Sequence, residues 1–83
     1  MEFVSSASVR WQCRRGMLEL DLLLLPFMDN VYETLTVDQQ QDFIELLGYQ
    51  DQELLAWFMG RSEPESSKLR AIVQLIREGS WKE

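Results

Sequence analysis

Histidine is absent from the 83 residues, and that absence removes the commonest general base, the Ser-His-Asp arrangement and imidazole-based zinc sites. Cysteine occurs once, as Cys13, which excludes an internal disulfide, a Cys-x-x-Cys redox pair and a thiolate metal cluster within the chain. The four glycines (Gly16, Gly48, Gly60 and Gly79) stand far apart, so no glycine-rich loop is available to cradle a phosphate. The longest apolar run, Leu22 to Met28, is too short to span a bilayer. The serines and arginines near the start resemble a transit peptide only faintly, and no secretory pattern is seen. The expectation is a small, soluble, cytoplasmic protein of one helical domain (residues 1–83, with 80–83 frayed), binding neither metal nor cofactor by itself and not an enzyme.

Positive charge is missing from a long stretch. Residues 17–60 hold nine acids and no Lys or Arg, whereas residues 1–16 and 61–83 are slightly basic, for a net charge of −6. Nucleic-acid binding needs a field of cations that this chain does not have, and an anionic lipid surface would be repelled in the same way. An acidic face is usually a solvated face, though it also suits a basic protein partner.

What the sequence has in abundance is helix signal. Strict alternation and Asn-Gly or Asp-Gly turns do not occur, which argues for an all-α bundle of about five helices. The first helix is expected over about Ser5 to Arg14, with a serine N-cap, arginines at its negative pole and Gly16 as its stop. A second, from Met17 to about Leu35, is apolar around most of its girth and belongs in the middle of the bundle. Leu20, Leu24, Phe27, Met28 and Val31 trace one face, Leu18, Leu22, Leu25 and Tyr32 widen it, and Pro26 should bend it. Thr36 and Gln39 have capping-box spacing ahead of a third helix with core residues Phe43, Leu46 and Leu47, ended by Gly48. Asp51 is expected to cap a fourth helix carrying Leu54, Leu55, Trp57, Phe58 and Met59, ended by Gly60. After the loop 61–67, Pro64 and the serines can start a fifth helix with Leu69, Ile72, Val73 and Ile76 on one face, closed by Gly79.

One segment, Trp11 to Asp21, concentrates the N-terminal charge around a glycine. Arg15 and Glu19 are four residues apart and could pair if the helical path continued through Gly16. Read from the residues alone, this is a helix end with a glycine cap and a surface ion pair worth about 0–1 kcal/mol. Trp11, by the same reading, is more often a core residue, as are Trp57 and Phe58, and Cys13 is a small buried hydrophobe.

Arg15-Gly16-Met17-Leu18-Glu19 also fits the Arg-Gly-x-x-Glu signature of the succinate dehydrogenase flavinylation factors (SdhE type, with the mitochondrial assembly factor 2 relatives). Trp11, Cys13, Arg14, Asp21, Pro26 and Phe27 resemble the same family, as does the later spacing of Phe43, Leu46, Leu47, Asp51, Leu54, Trp57 and Gly60. The resemblance covers about residues 8–78 and implies a five-helix bundle. It implies an assembly chaperone that binds the flavoprotein subunit of succinate dehydrogenase or fumarate reductase and promotes covalent attachment of FAD to a histidine of that subunit. FAD would then reside in the partner, and the chain would act as a monomer. The resemblance gives partner-binding roles to Arg15, Gly16 and Glu19, with Arg14, Met17 and Trp11 at the rim. Arg15 would donate a forked pair of hydrogen bonds to the partner, Gly16 would admit a partner backbone, and Glu19 would accept from a partner cation or hold Arg15. Gly16→Arg is expected to leave thermal unfolding nearly unchanged. The rival expectation is another interaction role, such as an antitoxin-like partner or a generic adaptor.

Overall fold

In the computed structural model, which describes residues 6–78, five helices and one short 3-10 turn follow in order. They are α1 (Ser6–Cys13), α2 (Leu18–Asn30), the 3-10 turn Tyr32–Thr34, α3 (Val37–Leu46), α4 (Asp51–Phe58) and α5 (Ser67–Glu78). The expected Ser5 cap, the Gly79 stop and the tail 80–83 lie outside the described residues. No strand occurs among the described residues, in agreement with the all-α reading.

α5 obeys its sequence most directly. Leu69, Ile72, Val73 and Ile76 recur at helical spacing and all four are buried, while Arg70, Ala71 and Gln74 between them face water and Leu75 is half-buried at the edge of the core. Ser66 starts the helix, its hydroxyl accepting from the Leu69 N–H at 3.4 Å. α2 is the other organising element. Its buried row is Leu20, Leu24, Phe27 and Met28, and it packs against α1, α4 and α5. Val9 and Cys13, one turn apart on α1, complete that side of the core. Burial pushes the Cys13 thiol up to about 12, so it behaves as a small hydrophobe rather than a nucleophile.

The second helix ends earlier than its apolar run suggests. At Val31 the backbone leaves helical geometry, and the Thr34 hydroxyl donates to the Val31 carbonyl at 2.7 Å. Backbone pairing tightens to the 3-10 pattern, with Thr34 N–H donating to the Val31 carbonyl at 2.8 Å and Leu35 N–H to the Tyr32 carbonyl at 3.1 Å, and Gln40 Nε2 adds a bond to the Tyr32 carbonyl at 2.9 Å. This break swings the Tyr32 ring into the core, 5.8 Å from Phe43, which also meets Phe27 at 5.2 Å.

The helix ends are set by local chemistry. The Thr36–Gln39 capping box is present, with bonds of 3.1 and 3.0 Å in the two directions. At α4 the cap is Gln50 rather than Asp51, and the Glu53 carboxylate accepts from the Gln50 N–H at 3.2 Å. Asp51 lies one residue inside the helix and is engaged elsewhere. α4 closes with Gly60 at φ +78°, where the Gly60 N–H reaches Trp57 and the Arg61 N–H reaches Ala56, a Schellman pair of bonds.

Two further expectations need correction. Leu18 and Leu22 do not widen a buried face; they are 68% and 60% exposed, because the bundle covers only one side of α2. Met59 is also exposed, since it falls beyond the last turn of α4 on the solvent side.

The Phe27–Phe43–Tyr32 cluster joins α2, the turn and α3. Phe43→Ala is therefore expected to cost about 3–5 kcal/mol. Urea unfolding followed by circular dichroism measures it, and a loss below about 1 kcal/mol would show that the cluster is not a keystone of the core.

Candidate functional site

The segment between α1 and α2 is a turn, and Gly16 makes it possible. Its φ is +80°, a conformation that side-chain-bearing residues rarely adopt. A Cβ built there meets no atom within 4 Å, so the glycine faces open space. The helical path therefore breaks between Cys13 and Leu18, and the expected Arg15–Glu19 pair does not form.

Arg15 turns inward instead. Its Nε donates to Asp51 Oδ1 at 2.7 Å, Nη1 to the Leu47 carbonyl at 2.7 Å and the Gln12 carbonyl at 3.2 Å, and Nη2 to the Tyr49 carbonyl at 2.6 Å. The Arg15 backbone N–H donates to Asp21 Oδ1 at 2.9 Å. One residue thus binds the last turn of α1, the first turn of α2, the end of α3 and the start of α4. Only 15% of the Arg15 side chain is exposed, against 35% for Asp51. The planar guanidinium suits this role, because its N–H groups diverge in one plane and can reach several acceptors together. The forked donation that the resemblance implied for a partner is, in the structure, spent within the fold.

The remaining sequence-indicated residues divide by exposure. Glu19 is exposed and joins no ion pair among the described residues. Arg14 is exposed, and Met17 is half-buried against the core. Trp11 is 73% exposed, which overturns the core reading: Val9 and Cys13 point α1 into the bundle, and Trp11 falls on the opposite side of that short helix. Trp57 and Phe58 are buried, as expected.

Sequence reasoning missed Asp51 as a member of this corner and Leu18 and Leu22 as surface. Asp51 is 36 residues from Arg15, beyond any local pattern. A hint was present in the charge map, because an acidic stretch lacking its own cations must take any buried-side cation from elsewhere in the chain. For the leucines the signal was the excess itself: α2 carries more apolar surface than a bundle this small can cover.

A second ion pair ties α1 to the far end of α2. Arg10 Nε and Nη2 reach Asp29 Oδ1 and Oδ2 at 2.7 and 3.1 Å. The hydrogen bond from Arg10 holds the Asp29 carboxyl below its usual range, although both side chains are about half exposed. An open cleft lies elsewhere, lined by Tyr49, Glu53, Trp57, Glu63, Pro64 and Leu69. No group of His, Cys, Asp and Glu among the described residues is placed to hold a metal ion, and no helix is long and apolar enough to cross a membrane.

Arg15→Ala should lower stability by about 2–3 kcal/mol, since charge-assisted bonds are lost and acceptors are left behind. In thermal unfolding this corresponds to roughly 10–20 °C. A shift of less than about 3 °C would mean that the guanidinium does not brace the fold.

The chain is similar in sequence to known proteins. A family model described as the flavinator of succinate dehydrogenase matches residues 7–80. A protein of Colwellia psychrerythraea named FAD assembly factor SdhE is 52% identical over 73 residues, covering 88% of this chain and 80% of that one. Proteins of the same name are 51% identical over 76 residues in Shewanella oneidensis (90% and 93% of the two chains) and 50% identical over 66 residues in Pseudomonas aeruginosa (80% and 79%).

Proposed function

The chain belongs to the family of succinate dehydrogenase flavinators, and from that premise we propose that it is an assembly chaperone for a flavoprotein. It binds the flavoprotein subunit of succinate dehydrogenase or fumarate reductase and promotes covalent attachment of FAD to a histidine of that subunit. The observation that carries this reading is the corner at Gly16. An exposed glycine with open space around it lets a foreign backbone come close, and exposed Trp11, Arg14 and Glu19 stand beside it in the chain. Aromatic and arginine side chains are the ones that most often anchor protein interfaces. Glu19, exposed and outside any ion pair, is suited to accept from a partner cation.

The chemistry belongs to the partner. This chain has no histidine and so cannot be the histidyl acceptor, and no glycine-rich loop with which to grasp the flavin phosphates. Its contribution is to favour the partner conformer in which flavin and acceptor meet. Binding does this only if that conformer is bound more tightly than the others. Since a misplacement of about 1 Å can cost roughly 10²-fold in rate, such a positioning effect is enough to accelerate attachment without any catalytic group here.

Arg15 enters this reading differently from the other signature residues. Its guanidinium shapes the corner from behind, whereas Gly16 and Glu19 face outward. The signature therefore combines one bracing residue with two contact residues.

Co-expression with a candidate flavoprotein subunit tests the proposal, with flavin fluorescence of the denatured subunit as the readout. The wild-type chain should raise covalent flavin, Gly16→Arg should return it to the level without the chaperone, and Glu19→Ala should reduce it less. The structure revises the expected stability of Gly16→Arg. Space is available, but φ +80° costs a side-chain-bearing residue about 1–2 kcal/mol, so the melting temperature should fall by several degrees while the helical signal persists. Equal fluorescence with wild type and Gly16→Arg would overturn the assignment. Recovery of a small toxin rather than a flavoprotein in a pull-down would favour the antitoxin-like role.

A further inference from the structure

We propose that Asp51 is a positioning residue for the partner contact, and that Arg15 serves that contact through Asp51 rather than by touching the partner; this rests on the chaperone reading above. The acceptors for the guanidinium outside its own turn are the Leu47 carbonyl, the Tyr49 carbonyl and the Asp51 carboxylate, which alternate along the connection from α3 to α4. That connection gathers the carbonyls at the end of one helix and the acid at the start of the next around a single cation. Residues 17–60 supply no cation of their own, so the positive charge comes from the turn between α1 and α2. Gly16 follows Arg15 directly, and the Arg15 N–H is fixed to Asp21 at the start of α2. Holding the Arg15 side chain therefore sets where Gly16 and the first turn of α2, with Glu19, present themselves. Four of the five guanidinium N–H groups are already committed at 2.6–3.2 Å, which leaves the partner little to take.

Two models give opposite results for Asp51→Asn. If Arg15 touched the partner, weakening its internal anchor would free it, and binding would hold steady or tighten. If Arg15 is a brace, binding weakens although no contact residue has changed. The measurement is the dissociation constant for the succinate dehydrogenase flavoprotein subunit with wild type, Asp51→Asn, Arg15→Lys and the double variant. It is made at a temperature where circular dichroism shows every variant folded. Each single change should weaken binding about tenfold, the double variant should be no weaker than the worse single one, and Asp51→Glu should recover part of the loss. That coupling in binding among fully folded proteins is what a role in stability alone would not produce. Binding of Asp51→Asn equal to or tighter than wild type, or additive losses, would overturn the proposal. Should Asp51→Asn fail to fold, Arg15→Lys with its charge retained and its fork removed carries the test, and wild-type affinity in it would be fatal. A wild-type chain that does not bind the subunit overturns the chaperone reading instead. In that case the amide resonances of Gly16 and Glu19 decide the positioning claim: they should shift in Asp51→Asn while those of α5 stay in place, and unchanged Gly16 and Glu19 signals would refute it.

Discussion

A single guanidinium holds together parts of the chain that would otherwise have little reason to meet. The turn around Arg15 and the α3–α4 connection are both short irregular segments, and both carry backbone groups with no helical partner. Arg15 answers the acceptors of the second with the donors of the first, at 2.6–2.7 Å to Leu47, Tyr49 and Asp51. A lysine would bring the charge but not the planar fork, and would leave some of those acceptors to water. The pair is partly buried, so its worth lies less in net attraction than in the penalty for breaking it. That makes the corner a defined shape rather than a loose loop.

The apolar core imposes the complementary constraint. α2 runs between α1, α4 and α5, and its inward row is fully committed to them. What remains on its outer side, Leu18 and Leu22, lies just after the Gly16 turn and is left to water. Covering what remains exposed of the two leucines would be worth roughly 2–4 kcal/mol, a gain that a partner surface would supply in the proposed contact. The same short stretch thus contains an inward-facing brace, an outward-facing glycine and an uncovered apolar strip. The proposed contact would use this combination: rigidity behind it and free apolar surface in front of it.

Much of this was legible in the order of residues. The periodicity of Leu69, Ile72, Val73 and Ile76 specified α5 and its buried face, and Thr36 with Gln39 specified the start of α3, because both depend on contacts within four residues. The Arg-Gly-x-x-Glu run pointed to the family to which the chain belongs. Reading failed where the outcome depended on distant residues or on how much surface the bundle could cover. Trp11 looked like core because tryptophan usually is, yet α1 is short and has only the Val9–Cys13 side to bury. α2 looked longer because its apolar run continues, while the backbone leaves helical geometry at Val31 and passes into the 3-10 turn, where Thr34 and Gln40 add side-chain bonds.

Taken alone, the residue order determined the helical class, the positions of most helices and the inward faces of α3 and α5. Those properties follow from local periodicity, capping and composition, which act over a few residues. Only the tertiary structure decided that Arg15 faces in and Glu19 faces out, that Asp51 rather than Glu19 is its partner, and that one side of α2 stays bare. These outcomes turn on a contact across 36 positions and on the finite reach of a small core, and neither is fixed by interactions within a few residues.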